Sequence, residues 1–375
     1  GFDIIDYVWW IGIACGCAFI SSAFYLIDAD WRAGIGRIAD VAALLAAACG
    51  GIFPNLHLGR PWLFYWLFPY PNTMGYWPNW RSPLLWDFWG ILSFIAVGGT
   101  WGLLGLIPDL AVLRDRATTR VRGMIYGVFA FGFRGSGRQW RHHQAIMRAL
   151  AIVMLLAACD THSIAALDFA GGLTVGWHTT QMPPYFVFGA VLSGAATILL
   201  IGLPLRRLFR WGELITGRHT DMLCKIMIAA SLLVTYSYAM EAFMDWYGGD
   251  AAERAMFAAR TVGPYAYVYW CTIALNCALP QLFWIRPLRF VQPLVWIVSF
   301  LVLAGMWMDP CKLIIASLSR PHLPSAWGLF HVSNFDWLTL LGSIGLFVTL
   351  LLVLVRVLPM APVSQLRRKL LGAVG

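Results

Sequence analysis

Charge is what this chain has least of. Only 12% of its 375 residues are Asp, Glu, Lys or Arg, while 60% are hydrophobic; soluble globular domains carry about 25% charged residues. A disordered chain, a fibrous repeat and a soluble nucleic-acid binder are excluded on that balance. Paired cysteines are also missing. The eight cysteines (15, 17, 49, 159, 224, 271, 277 and 311) fall mostly in or at the ends of apolar runs, with no C-x-x-C and no C-x-x-C-H. That excludes the usual zinc, iron–sulfur and c-haem patterns, and Cys15 and Cys17 read as small helix-packing residues. A transmembrane b-haem pair needs histidines at matched depth on two spans, and only His162 lies well inside an apolar run. No metal or haem is expected on this chain. No cleavable signal peptide is visible, and Gly1 in place of Met fits a processed or incomplete chain.

Long apolar runs are what the sequence has instead. A span needs about 20 mostly apolar residues, and nine runs qualify: about 5–27, 38–56, 84–107, 148–168, 184–204, 221–245, 262–284, 291–309 and 337–357. β-barrel alternation is absent, so the spans are helices, which satisfy their own backbone groups in lipid. The expected fold is one all-α polytopic membrane domain, 1–375, whose spacing fits two four-helix bundles plus an extra helix. Basic residues mark the inner side. The 108–147 loop and the start of the next span hold eight arginines. Alternation then places 20 Lys and Arg inside and six outside, leaving Lys225 within a span. The N-terminus is expected outside and the C-terminus inside. The 57–82 connection, with four prolines among Trp62, Phe64, Tyr65, Trp66, Phe68, Tyr70, Tyr76, Trp77 and Trp80, is expected to lie along the outer interface as an aromatic cap.

Ionisable residues in or at the ends of spans are costly and mark sites. On the outer side, topology gathers His57 and Arg60 after the second span, Asp87 in the third, Asp160, His162 and Asp168 in the fourth, and His178 and Asp309. A histidine and carboxylates near one membrane surface suit a quinone headgroup, whose two oxygens need donors when oxidised and acceptors when reduced. Each has a plainer role too: Asp87 could cap its helix, Asp168 end one at water, and Arg60 snorkel. In the sixth span Ser231, Thr235, Tyr238, Glu241 and Asp245 form one polar stripe. It reads as a proton relay or as a hydrogen-bonded helix contact. His142 and His143 are expected to be solvated. The arginine-rich loop could bind anionic lipid or a partner, with plain topology signal the simpler account.

Several stretches resemble the NrfD/PsrC-like (polysulfide-reductase-type) membrane subunits, and within them the quinol-oxidising membrane subunit of alternative complex III. They are His57-Leu-Gly-Arg-Pro-Trp, Tyr70-Pro-Asn-Thr-Met, Ser82-Pro-Leu-Leu-Trp-Asp87, Asp160-Thr-His-Ser-Ile through Asp168-Phe-Ala, Gly176-Trp-His-Thr-Thr, Pro183-Pro-Tyr-Phe, Tyr238-Ala-Met-Glu241 and Leu323-Pro-Ser-Ala-Trp-Gly. The resemblance covers about 5–360. It implies a multi-pass subunit of a bacterial inner-membrane respiratory complex that oxidises menaquinol or ubiquinol near the periplasmic face. Electrons would pass to an iron–sulfur subunit, beside a second NrfD-like membrane subunit, c-type cytochrome subunits and lipids. His57, Asp87 and Asp168 match the positions implicated around the quinol, with Arg60 and His178 completing the pocket. Asp160, His162, Tyr238, Glu241 and Asp245 would relay protons. Two departures stand out: one N-terminal helix fewer than related chains usually have, and Cys15 where they tend to have a histidine. The competing readings are a quinone-free anchor or proton-conducting subunit and, less well matched to a cluster at one surface, a secondary transporter.

Overall fold

The computed structural model describes residues 1–29, 32–57, 59–70, 75, 77–177, 179–320, 323–360 and 362–363, without the side chains of His57 and Pro324. Every regular element among them is helical: α1 Phe2–Leu26, α2 Arg32–Gly50, α3 Phe53–His57, α4 Pro83–Asp115, α5 Arg120–Phe129, α6 Gly137–Ala170, α7 Met182–Leu208, α8 Gly217–Tyr247, α9 Ala251–Thr261, α10 Ala266–Ile273, α11 Gln292–Pro310, α12 Ala316–Leu318 and α13 Asn334–Val357. Among the described residues, eight helical segments are long and apolar enough to cross a membrane, as expected of a multi-pass protein. The run expected as a further span, 262–284, is helical in three joined pieces: α10, a π-turn at 274–278 and a 3₁₀ stretch at 279–284. Pro280 lies just past the π-turn, where a missing N–H breaks the regular ladder.

α1, α2, α4 and α6 pack as one group; α7, α8, the 266–284 stretch and α11 pack as another. α1 and α6 both meet α7, joining the groups, and α13 leans on α1 and α2. α1 is the hub, with 83% of its most apolar stretch buried. Its crossing with α7 is backbone on backbone: a Cβ on Gly16 would lie 1.7 Å from the Ala190 carbonyl oxygen, and one on Gly194 would lie 2.3 Å from Gly16 C. Small residues allow this approach, on which helix association in lipid depends.

The arginine-rich side departs from the sequence reading. The expected 108–147 loop is mostly helix, because α4 runs on to Asp115, α5 follows, and a Ser136–Gln139 capping box starts α6 at Gly137. Arg32 and Arg37, expected in a loop, are buried in α2. Arg37 Nη2 lies 2.6 Å from Asp109 Oδ2, and Arg32 Nη2 lies 3.4 Å from Asp40 Oδ2, pairings that make buried guanidinium groups tolerable. His143 is not fully solvated either: its Nε2 lies 2.9 Å from the Leu104 carbonyl.

Candidate functional site

Two polar sites form at the helix ends opposite the arginine-rich side. The first joins α1, α4 and α6. Ser82 precedes Pro83 at the start of α4, a favoured arrangement for a helix N-terminus, and Asp87 follows one turn in. Asp87 is not a cap. It is 8% exposed, and its Oδ2 accepts a short hydrogen bond from the Tyr7 hydroxyl of α1. Asp168, near the end of α6, is half-buried and within electrostatic range of Asp87. Asp87 Oδ1 and Asp168 Oδ1 are both buried without a hydrogen-bond partner among the described residues. An unmet buried acceptor costs about 1–3 kcal/mol, so each of these oxygens has capacity for a donor.

The second site joins α8, α9, α11 and the loop before α7. α11 does not stop at Asp309-Pro310 but continues through a π-turn, 311–315, into α12. That wide turn buries Lys312 at 4% exposure. Lys312 Nζ lies 3.3 Å from Glu241 Oε2, 3.3 Å from Asp309 Oδ1 and 3.7 Å from the centre of the Tyr238 ring, a cation–π arrangement. Arg260, on α9, donates to Glu241 Oε1 at 3.0 Å, to Ser317 Oγ at 2.8 Å and to the Gly176 carbonyl at 3.1 Å. Asp309 accepts from Tyr238 at 2.8 Å and, through its other oxygen, from Tyr185. Every carboxylate oxygen of this cluster is met.

The quoted motifs gain physical reasons here. Gly176 takes φ +84°, and a Cβ there would lie 2.4 Å from Arg260 Nη2, so only glycine lets its backbone grip Arg260. Gly176 N also donates to Glu253 Oε2 at 2.8 Å, and Trp177 Nε1 donates to the Leu313 carbonyl at 3.1 Å, fastening the π-turn. Tyr185 and Phe186, from Pro183-Pro-Tyr-Phe, reach Asp309 and the His162 ring respectively.

His162 lies beside the second site, against Phe186 and Gly12. Fully packed on α6, it lines a small cavity of about 30 Å³ with Val8, Trp9, Tyr185 and Asp309; that is room for one or two waters. His162 Nδ1 is buried without a partner among the described residues. A second small cavity continues past Tyr185 to Tyr238, Glu241 and Lys312.

The structure brings together Asp87 with Asp168, and His162, Tyr238 and Glu241 around the cavities. Asp245 is half-buried one turn beyond Glu241. Asp160 does not join them: it is exposed, because residues two apart on a helix do not share a face and His162 takes the inward one. Arg60 is exposed at the head of a 3₁₀ turn, 61–67. His57 ends α3, but its side chain lies outside the described residues, as does all of His178. In the stripe, Ser231 Oγ donates to the Asn276 carbonyl at 2.6 Å, and Thr235 bonds its own helix at the Ser231 carbonyl. That end of the stripe glues helices. Sequence reasoning missed Tyr7, Arg260 and Lys312 and carried Tyr185 only inside a quoted motif; the two cations read as outer-loop charge.

Comparison with known proteins agrees with this architecture. The chain is 24% identical over 342 residues to the membrane subunit of a putative dimethyl sulfoxide reductase of Halobacterium salinarum, covering 90% of this chain and 74% of that one. It is 22% identical over 380 residues to a selenate reductase subunit of Mesobacillus selenatarsenatis, covering 96% and 85%. The family model described as polysulphide reductase, NrfD, matches residues 1–322. With its apolar helices and its polar sites at one membrane face, the chain belongs to the NrfD family of polysulphide-reductase-type proteins.

Proposed function

We propose that this chain is the quinol-oxidising membrane subunit of a multi-subunit oxidoreductase, with Tyr7, Asp87 and Asp168 at the reacting end. The observation that carries this reading is the pair of buried acceptors, Asp87 Oδ1 and Asp168 Oδ1, that have no partner among the described residues. The reduced headgroup presents two hydroxyl donors, so the residues fit it. When bound, quinol supplies two electrons and two protons. Asp87 Oδ1 accepts one hydroxyl, while the Tyr7 bond on Oδ2 fixes the plane of the carboxylate. Asp168 accepts the other and takes the second proton; both carboxylates lie at helix ends from which protons pass outward. His57, Arg60 and His178 border the headgroup in this reading. Electrons leave to an iron–sulfur partner on the periplasmic side.

The reductase subunits among the relatives favour an assembly that reduces a terminal acceptor. The quoted motifs favour an alternative complex III-like assembly, with a second NrfD-like subunit and c-type cytochromes, and either uses the same quinol chemistry here. Proton translocation is a further part of the proposal. The series His162, Tyr185, Asp309, Tyr238, Lys312 and Glu241, hydrogen-bonded or spaced by cavities, is its route, with Asp245 at the exit. Asp160 faces away from it.

The test is quinol oxidation by the purified complex. Asp87→Asn and His57→Ala should each lower turnover about 100-fold or more, with the complex still eluting whole on size-exclusion chromatography. Native turnover in intact variant complexes would overturn the proposal and leave a quinone-free anchor.

A further inference from the structure

On the side away from both sites, α4 and α6 are 33 and 34 residues long, about 50 Å each at 1.5 Å per residue. The hydrocarbon layer is only about 30 Å thick, so their arginine-rich ends reach the headgroup zone. α5 lies between those ends. It rests on α4 through Tyr126 and a small cluster of Ile107, Leu110, Ala111, Ala130 and Phe133. Its opposite face is apolar and bare: Val121, Met124, Ile125 and Val128 are 51–67% exposed. Their i, i+3, i+4, i+7 spacing makes one stripe. Exposed arginines surround it: Arg116, Arg120, Arg122, Arg134, Arg138 and Arg141. The acids within 108–148 are Asp109, held by Arg37, and Asp115, paired with Arg114, so the rim is strongly cationic.

We infer that α5 is an interfacial helix, its apolar stripe sunk into the leaflet on the arginine-rich side and its arginines binding anionic phospholipid headgroups. An apolar face flanked by cations is the pattern of helices that lie in the plane of a bilayer. The charge selects anionic over zwitterionic lipid, and the same exposure would be an aggregation hazard in water. Two transmembrane helices anchor α5 at its ends, so the lipid orients a helix already held at the surface. This inference concerns a different face from the quinol proposal and does not depend on it.

The test is native mass spectrometry of the purified complex exposed to phosphatidylglycerol or to phosphatidylcholine. Phosphatidylglycerol should be retained preferentially, and the preference should fall about fivefold for each headgroup arginine neutralised in Arg120→Gln, Arg122→Gln and Arg138→Gln. The matching Arg→Lys variants should keep it. Equal retention of the two lipids by the native chain, or an unchanged preference in the Gln variants, would overturn the inference. A benzophenone photo-crosslinker placed at Val128 in native membranes gives a second readout that needs no charge change. Lipid adducts support the proposal; a protein adduct would overturn it and assign the face to a partner protein.

Discussion

The two polar sites share a membrane face and differ in completeness. Around Asp309, Lys312, Glu241 and Arg260, every carboxylate oxygen is met by a cation or a tyrosine hydroxyl. Around Tyr7, Asp87 and Asp168, one oxygen of each carboxylate is buried and unmet among the described residues. In the first arrangement the acids are met from within, with Arg260 Nε the buried group left unmet among the described residues, whereas in the second it is the acids that lack donors. Damage to the acid-satisfied cluster should therefore register first as lost protein, and damage to the incomplete one as lost activity.

The sharpest way to break that distinction is Lys312→Ala. It strips the cation from Asp309 and one of the two from Glu241, which keeps Arg260, and should cost about 3–5 kcal/mol, read as a collapse of assembled protein and a lower unfolding temperature in detergent. Survival at native yield would mean the cluster is wet and not structural. Asp87→Asn comes next. Turnover should fall about 100-fold, about 2.7 kcal/mol of barrier, with the unfolding temperature almost unmoved. Tyr7→Phe removes one hydrogen bond to a carboxylate and should lower turnover about tenfold, chiefly in kcat, since Tyr7 positions Asp87. Asp160→Asn should do least, within about 0.5 kcal/mol in stability and with native turnover; a large loss there would place a partner or a proton path on that exposed face.

Much of this was legible in the sequence, for physical reasons. Ionisable residues in apolar runs are rare, so Asp87, Asp168, His162 and Glu241 stood out, and positive-inside counting sorted the first three to one face. What failed was the span boundary set at 309. Asp309-Pro310 reads as a C-terminus, which casts Lys312 as loop charge; the π-turn carries the helix on and buries it. Arg260 was lost likewise, because nothing local shows that Gly176, 84 residues away, supplies its carbonyl. Tyr7 sits among Val8, Trp9 and Trp10, where a tyrosine looks like one more interface aromatic. Asp160 could have been set aside from helical geometry alone, being two residues from His162.

The crossing of Gly16 and Gly194 fixes a vertical registry. α1 carries Tyr7 to the first site and Trp9 and Gly12 to the wall of the cavity beside Asp309. Tyr7 stands nine residues, about 14 Å, above the crossing. A side chain at either glycine would lift α1 off α7 and shift both sites at once. The two sites thus share a single datum, and their spacing cannot be tuned by changing one of them alone.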